Sequence, residues 1–544
     1  MINSRSLPNA TNSRPFFGQF SLLRRMTSAE LWHVNAFSIP AGGALWLARL
    51  PGIDWGQSVV FGYVSLMLLR QIFDPQLAQY SYLLGCQQSE EALIVDPERD
   101  IDRYRRLAEA NGLRISAVAE THIHADFVSG AREFAEDPNV HLYLSGAGGP
   151  DWAYRWPERR PNTHFLKHGD QFMIGKIRVE AVHTPGHTPE HLCYLVTDLG
   201  SGADKPMALV TGDFVFVGDV GRPDLLESAV AQKGTMEASA RQLQESLRDR
   251  LASFDDYLQL LPGHGAGSAC GKALGAVPTS TLGYERRFNS ALKLALRDGA
   301  AFVTDILSGQ PDPPLYFATM KRVNRDGIGV TGGAPKPPHL HPDEFSHAGK
   351  GENVQVLDTR DDRKVFDAAH VPRAIHAPLR SPFFSATAGS YLAENDSVLL
   401  VLEELGDAEL ALRQLYRIGF DQVRGWITAG EAKTAGLFLE AEERIDFPDF
   451  RPEKALEQGA IIDVRTSAEF QRGHLEGALS FPYTRLKTRL AELPKNKRLF
   501  IHCGSGRRAS LAASFLRSTG FDAVHIDGIC ADCQRIAAQE GVAH

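Results

Sequence analysis

THIHADFVSG, residues 121–130, places His122, His124 and Asp126 at alternate positions and then, at Phe127, a side chain with no donor atom. Three metal-ligand residue types just beyond the β-type run AVAE (117–120) predict a metal site in a strand-end loop. Alternate residues of an extended segment point one way, so the three donors are expected on one side. The same residue types recur downstream. HTPGHTPEH (183–191) offers His183, His187 and His191, TGDFVFVGDVGRPD (211–224) offers Asp213, and LPGHGAGSACG (261–271) offers His264. Pro185–Gly186 and Pro262–Gly263 set tight turns ahead of His187 and His264. Any one of these histidines alone would be an ordinary core or surface residue. Ligand-type residues recurring in four Gly/Pro-framed loops instead predict one shared site.

The bulk properties bound what surrounds that site. A chain of 544 residues has room for three or four domains. Its 43% hydrophobic and 23% charged content is that of soluble globular protein. A net charge of −8 excludes a basic field that would recruit nucleic acid or a membrane surface. Six cysteines (Cys86, Cys193, Cys270, Cys503, Cys530 and Cys533) are too sparse for a disulfide framework and fit a reducing, cytoplasmic setting. Cys86 and Cys193 lie in strand-like surroundings and read as core. Residues 1–70 are expected to be an N-terminal extension without packed structure. Their opening stretch is arginine-bearing and free of acids, which is transit-peptide-like, and a start at Met67 is a second reading. No apolar run there reaches the ~18 residues of a spanning helix.

From about residue 71 short β-type runs such as ALIVDP (92–97) alternate with helical runs. The Pro/His/Gly-rich stretch 331–350 reads as a linker. Beyond it the chain repeats itself. VLDTRDDRKVFDAAHVPRAIHAPL (356–379) matches IIDVRTSAEFQRGHLEGALSFP (461–482), aligning Asp358 with Asp463, Arg360 with Arg465, Phe366 with Phe470 and His370 with His474. Each copy ends in GFD, at Gly419 and Gly520. Counting back from these, the second copy has Cys503 at a strand end, where the first has Leu402. The expected class is α/β and α+β multidomain, with units at 71–340, 346–440 and 441–544.

The set THIHAD, PGHTPEH, TGD and LPGHG resembles the metallo-β-lactamase superfamily. That resemblance implies an αββα sandwich, one metal on His122, His124 and His187, and a second on Asp126, the histidine after it and His264, bridged by Asp213. Phe127 leaves the second site one ligand short. A mononuclear site survives, since His122, His187 and Asp213 make the two-histidine, one-carboxylate triad of non-haem Fe(II) oxygenases, with open positions for O2 and substrate. Within the superfamily, GDVGRPD (218–224) and GHGAGSACGKALGAVPTSTLGYER (263–286) resemble the persulfide dioxygenases. The resemblance implies one Fe(II) per chain and oxidation of a low-molecular-weight thiol persulfide to sulfite and thiol. It also implies a carboxylate-binding role for Arg222 and a homo-oligomer, dimer or tetramer. His124, Asp126 and His264 are then expected around the ligands rather than on the metal. Cys270 either touches the substrate thiol or is a small buried residue.

The second repeat resembles rhodanese, a sulfurtransferase, on IIDVR, EFQRGHLEGA and CGSGRRAS. At the head of that loop Cys503 is the expected persulfide-forming nucleophile. A nest of N–H groups from Gly504 to Arg508, a helix N-terminus near Ala509, and Arg507 and Arg508 would stabilise its thiolate. In the first repeat Leu402, Glu403, Glu404 and Asp407 replace this chemistry, leaving a docking module or spacer. Cys530 and Cys533 form a CxxC, which is either a redox pair, a metal half-site or part of a final helix. The expected activity is persulfide oxidation coupled to transfer of sulfane sulfur, with thiosulfate and sulfite as partners. Two alternatives stay open: a dinuclear zinc thioester hydrolase with an accessory sulfurtransferase, and a non-catalytic sulfur carrier.

Overall fold

The computed structural model describes residues 67–157, 159–225 and 234–530. Its first part is two six-stranded sheets packed face to face. One runs, in spatial order, Met67–Asp74, Gln79–Cys86, Glu91–Val95, Arg114–Ala119, His141–Ser145 and Thr163–Leu166. The other runs Ser280–Thr281, Gln259–Pro262, Ala208–Gly212, Leu192–Asp198, Ile177–His183 and Gln171–Ile174. Leu84, Val95 and Ala119 from the first sheet meet Val179, Val196 and Val210 from the second in one dry layer. On the outer faces, the helix Asp102–Ala110 buries Tyr104 and the helix Met236–Leu251 buries Leu243 and Leu247. Strands covered on both faces, such as Leu192–Asp198 and Ala208–Gly212, are buried at every residue, which is why they read as continuous apolar runs. The layers are therefore αββα.

The strand Met67–Asp74 pairs along its whole length with Gln79–Cys86, so residues 67–70 belong to this unit, ahead of the expected 71. The expectation for residues 1–66 lies outside the described residues. At the other junction, Pro342–Ala348 forms a helix inside the stretch read as linker. His341 and Glu344 close a capping box at its start. Its Phe345 packs in the core of the following unit, which therefore begins before residue 346. Proline and glycine hid a helix whose first turn proline tolerates.

The duplication is visible in three dimensions. The middle sheet orders its parallel strands Ile375–His376, Val354–Asp358, Ser397–Leu402, Val423–Thr428. The last sheet repeats that order as Leu479–Ser480, Gly459–Asp463, Arg498–His502, Ala523–Asp527, and adds Arg444–Asp446 at its edge. The matched residues do matched work. Arg360 pairs with Asp358 at 2.7 Å and Arg465 with Asp463 at 2.6 Å. His370 and His474 each bond through Nδ1 to a carbonyl one turn back at 2.9 Å while stacking on Phe366 and Phe470.

The middle copy's helix Asp407–Arg417 serves as a clamp on the first unit. Arg417 pairs with Asp74, Glu98 and Asp100, all three fully buried. Arg413 reaches Asp100 and Asp102, and Arg99 in return binds Asp421 and lies 4.1 Å over the Tyr416 ring. On its other side the middle copy meets the last: His376 bonds Ser510 and Ser514, Asp367 bonds His525, and Tyr391 stacks on Phe515 at 4.2 Å. One buried apolar cluster runs from Phe127 through Leu402 to Cys503, across all three units. Among the described residues no helix is long and apolar enough to cross a membrane.

Candidate metal centre

The first motif lies in the loop after Arg114–Ala119, so its alternate residues do not share one side as an extended strand would require. His122, His187 and Asp213 come together, buried, with ligand atoms all within 4.8 Å of one another. The hydrogen bonds behind them fix which nitrogen each ring presents. Thr121 Oγ1 donates to Asp96 Oδ2 at 2.8 Å, so it accepts from His122 Nδ1 at 2.9 Å. His187 Nδ1 donates to the carbonyl oxygen of Arg222 at 2.9 Å. Both rings therefore turn a bare Nε2 lone pair toward the cluster. Burial lowers the pKa of both rings and keeps them neutral, which is the ligating form. Asp213 Oδ2 has no hydrogen-bond partner and lies 3.5 Å from His187 Nε2. Two neutral imidazoles and one orphaned carboxylate oxygen fit a divalent cation.

Asp213 is held by main chain. Its N–H donates to His191 Nε2 at 3.1 Å, and His191 Nδ1 faces Thr184 Oγ1 at 2.8 Å, so His191 positions the ligand without being one. His183 bonds the Pro189 carbonyl and shapes the turn. A Cβ on Gly221 would collide with the Asp213 carbonyl oxygen, and one on Gly263 would stand 2.7 Å from Asp213 Oδ1. Both glycines are required by this close approach.

His124 turns away. Its Nε2 lies 3.1 Å from Asp96 Oδ1, and although burial acts first to lower its pKa, the Asp96 charge and hydrogen bond outweigh it and raise it to about 9. Asp96 thus supports both histidines of the motif and also accepts from the Thr121 N–H at 2.7 Å. It does so from a positive φ of 51°, a conformation that costs a non-glycine residue energy. Sequence reading missed Asp96. Its signal was a lone acid ending the apolar run ALIV, in front of Pro97.

A second cluster adjoins the first. Asp126, His264 and Cys270 are buried with ligand atoms within 4.8 Å of one another. His264 Nδ1 faces the Ala78 carbonyl at 3.3 Å, leaving Nε2 without a partner, 3.4 Å from Asp126 Oδ2 and 3.5 Å from Asp213 Oδ1. Burial raises the pKa of the Asp126 carboxyl and of the Cys270 thiol. Phe127, fully buried, sets its ring centroid 4.3 Å from that of His124, tilted by 33°, and contributes no donor. Phe127 offers this side no ligand, as expected, and Cys270, from another loop, brings a sulfur within 4.8 Å of the Asp126 and His264 ligand atoms. Spacing along the chain could not show that approach.

Arg222 also departs from expectation. Its guanidinium is 1% exposed and spent inside the protein, on Asp224 through Nε and Nη2 and on the carbonyls of Ala269 and Pro311 through Nη1. Its carbonyl, not its side chain, serves the site. In the last unit Cys503 follows the strand Arg498–His502 and is 1% exposed. The helix beyond it starts at Arg507 rather than near Ala509. Gly506 precedes it at φ 79°, where a Cβ would meet Asp527. Among the described residues no backbone carbonyl outside the helices and strands takes the N–H groups of 504–508. Arg508 pairs with Glu469 at 2.6 Å, whereas Arg507 is exposed. Cys86 and Cys193 are buried in strands as expected. Cys530 is buried and disulfide-bonded, and Cys533 lies outside the described residues.

The metallo-beta-lactamase superfamily matches residues 74–264, and a rhodanese-like domain matches residues 452–528. A crystal structure of a metallo-beta-lactamase from Staphylococcus aureus subsp. aureus COL is 38% identical, with a TM-score of 0.58. It spans 66% of this chain and 99% of its own. The mitochondrial persulfide dioxygenase ETHE1 of Bos taurus is 28% identical over 237 residues, which is 43% of this chain and 78% of that protein. A probable polyketide biosynthesis zinc-dependent hydrolase of Bacillus velezensis is 26% identical over 197 residues, 36% of this chain and 77% of its own.

Proposed function

Because this chain belongs to the metallo-β-lactamase superfamily and carries a rhodanese-like domain near its C-terminal end, we propose that it oxidises a low-molecular-weight thiol persulfide with O2 to sulfite and thiol. We further propose that it couples this oxidation to sulfane-sulfur transfer at Cys503. The observation that carries the reading is the buried His122, His187 and Asp213 cluster, two neutral imidazoles and one carboxylate with both Nδ1 atoms tied back. This donor set suits Fe(II), which would supply a site where O2 and a persulfide sulfur meet. Thr121 and the Arg222 carbonyl hold the two rings in one tautomer. His191, Gly221 and Gly263 hold the carboxylate in reach. Burial of the whole group excludes bulk water, which keeps a persulfide from competing reactions. At Cys503 the N–H groups of 504–508 would hold the outer sulfur of a persulfide. The middle unit docks the other two. A cytoplasmic homo-oligomer completes the reading.

A second reading has its own support. Asp126, His264 and Cys270, with Asp213 between the clusters, offer a place for a second ion, as a dinuclear zinc hydrolase would need. One experiment separates them: anaerobic purification with metal quantitation, then oxygen uptake on a panel of persulfides including glutathione persulfide. The dioxygenase reading expects about one iron per chain and oxygen uptake. Two zinc ions and no uptake would replace it with the hydrolase.

A further inference from the structure

The middle unit has no thiol at the position of Cys503, yet one of its helices reaches the base of the Cys503 loop. Arg363 and Asp367 stand four residues apart on the helix Arg363–Ala368 and share a face. Opposite them, His525 and Asp527 alternate along the strand Ala523–Asp527 and also share a face. Arg363 Nε donates to Asp527 Oδ1 at 2.7 Å, and His525 Nδ1 lies 3.1 Å from Asp367 Oδ2. Both pairs close on Gly506, the last loop residue before the helix Arg507–Ser518. A Cβ on Gly506 would collide with Asp527 Oδ1. The Gly506 carbonyl oxygen lies 3.0 Å from His525 Nε2 and also accepts the Ser510 N–H at 3.0 Å. His525 is fully buried, so no bulk water competes for either nitrogen. A bare Nε2 at that distance would set lone pair against lone pair, so Nε2 carries a hydrogen and donates to Gly506. Asp367 Oδ2 and His525 Nδ1 then share a further proton, which fixes the ring from its other end. The duplication does not carry this bridge twice. Gln471 matches Asp367 in the aligned segments, and Trp426 stands against Leu400 where His525 stands against Ile501.

We propose that Asp367 and His525 are positioning residues, through which the middle unit fixes the Gly506 carbonyl and with it the loop that presents Cys503 for sulfur transfer. This role rests on the reading above of Cys503 as the sulfur-carrying nucleophile. Neither residue touches a reacting atom. The Gly506 carbonyl belongs to the peptide whose other end is the Arg507 N–H. Two donors on that carbonyl fix the direction of the peptide and polarise it, which strengthens the N–H as a donor. The loop N–H groups can hold an outer sulfur only while the loop keeps this shape. The thiol-free copy thus takes part in its neighbour's chemistry. The two ends of the imidazole can be tested apart. A glutamine amide nitrogen reaches the place of Nε2, and an asparagine amide nitrogen reaches the place of Nδ1. His525→Gln therefore keeps the bond to Gly506, whereas His525→Asn keeps only the bond to Asp367.

The test gives the full chain thiosulfate as donor and cyanide as acceptor and measures thiocyanate over a range of both. The Cys503 thiolate attacks the outer sulfur of thiosulfate, the S–S bond breaks and sulfite leaves. The cyanide carbon then attacks the sulfur held on Cys503, the second S–S bond breaks, thiocyanate departs and Cys503 returns as thiolate. His525→Gln is expected to keep kcat within about threefold of wild type. His525→Asn is expected to lose at least about tenfold in kcat while KM for thiosulfate stays within about threefold, the effect of one hydrogen bond on a rate. Asp367→Leu loses kcat likewise, and Asp367→Asn, whose amide can donate to Nδ1, restores it. Unfolding midpoints are read alongside, because a merely structural role lowers stability without separating kcat from KM or Gln from Asn. Equal kcat in the Gln and Asn variants, or wild-type kcat in Asp367→Leu, overturns the positioning role and leaves the Cys503 chemistry standing. Thiocyanate that is absent with the wild type, or that survives in Cys503→Ser, overturns the sulfur-transfer reading and the positioning role with it. If Asp367→Leu does not fold, Asp367→Ser, too short to reach Nδ1, takes its place.

Discussion

Thr121 donates its one hydroxyl hydrogen to Asp96, and that is why it can only accept from His122. Thr121→Val keeps the shape and removes the acceptor, so His122 is freed to take the other tautomer. Metal affinity is expected to fall about 10- to 100-fold in a competitive chelator titration, as for other partners of ligating histidines. Unchanged affinity would show that the hydroxyl does not orient the ring. Cys270 gives a second test at this scale. Cys270→Ala should leave the metal content at about one iron per chain, because the proposed triad does not use the thiol. A drop from two ions to one on substitution would place an ion on Asp126, His264 and Cys270.

Two helices are held by ion pairs whose loss can be measured. In the last unit, Glu469 closes the capping box begun by Thr466 and also binds Arg508. Burial pushes its carboxyl pKa up, but the hydrogen bonds and charge of Arg508 outweigh this and hold it at about 2. The folded-state value is below the unfolded one, so the pair's stabilisation is complete above pH about 4.3 and is lost as the pH falls toward 2. Glu469→Gln should therefore lower the neutral plateau of an unfolding curve and flatten its acid limb, with wild type and variant converging toward pH 2. In the middle unit, Arg417→Met strands Asp74, Glu98 and Asp100 in a buried interface, a loss of about 3–5 kcal/mol. A lowered urea midpoint checks it, and an unchanged one would mean the acids find other partners. The sequence made the repeat legible, because Asp358, Arg360, Phe366 and His370 return in register at Asp463, Arg465, Phe470 and His474. The metal triad was legible for a similar reason, each ligand standing in a Gly/Pro-framed strand-end loop. What stayed hidden were long-range approaches: Cys270 to Asp126, Asp96 to the two histidines, and Arg222 into its own scaffold. No local period or propensity encodes a contact between separate loops.

The apolar cluster that runs from Phe127 through Leu402 to Cys503 predicts that the three units do not melt separately. Scanning calorimetry of the whole chain should give a single transition for the described region, and a distinct early transition of the last unit would contradict it. The middle copy, packed against both neighbours, is the reason. Its loop matching the Cys503 loop lies on the outside: Glu403, Glu404, Leu405 and Gly406 are all exposed, with Leu405 at 62%. An exposed loop tip of this kind is where an insertion is tolerated. A fluorescent reporter spliced between Leu405 and Gly406 would ride on the unit that packs against both of its neighbours while sparing the candidate metal cluster and Cys503 alike.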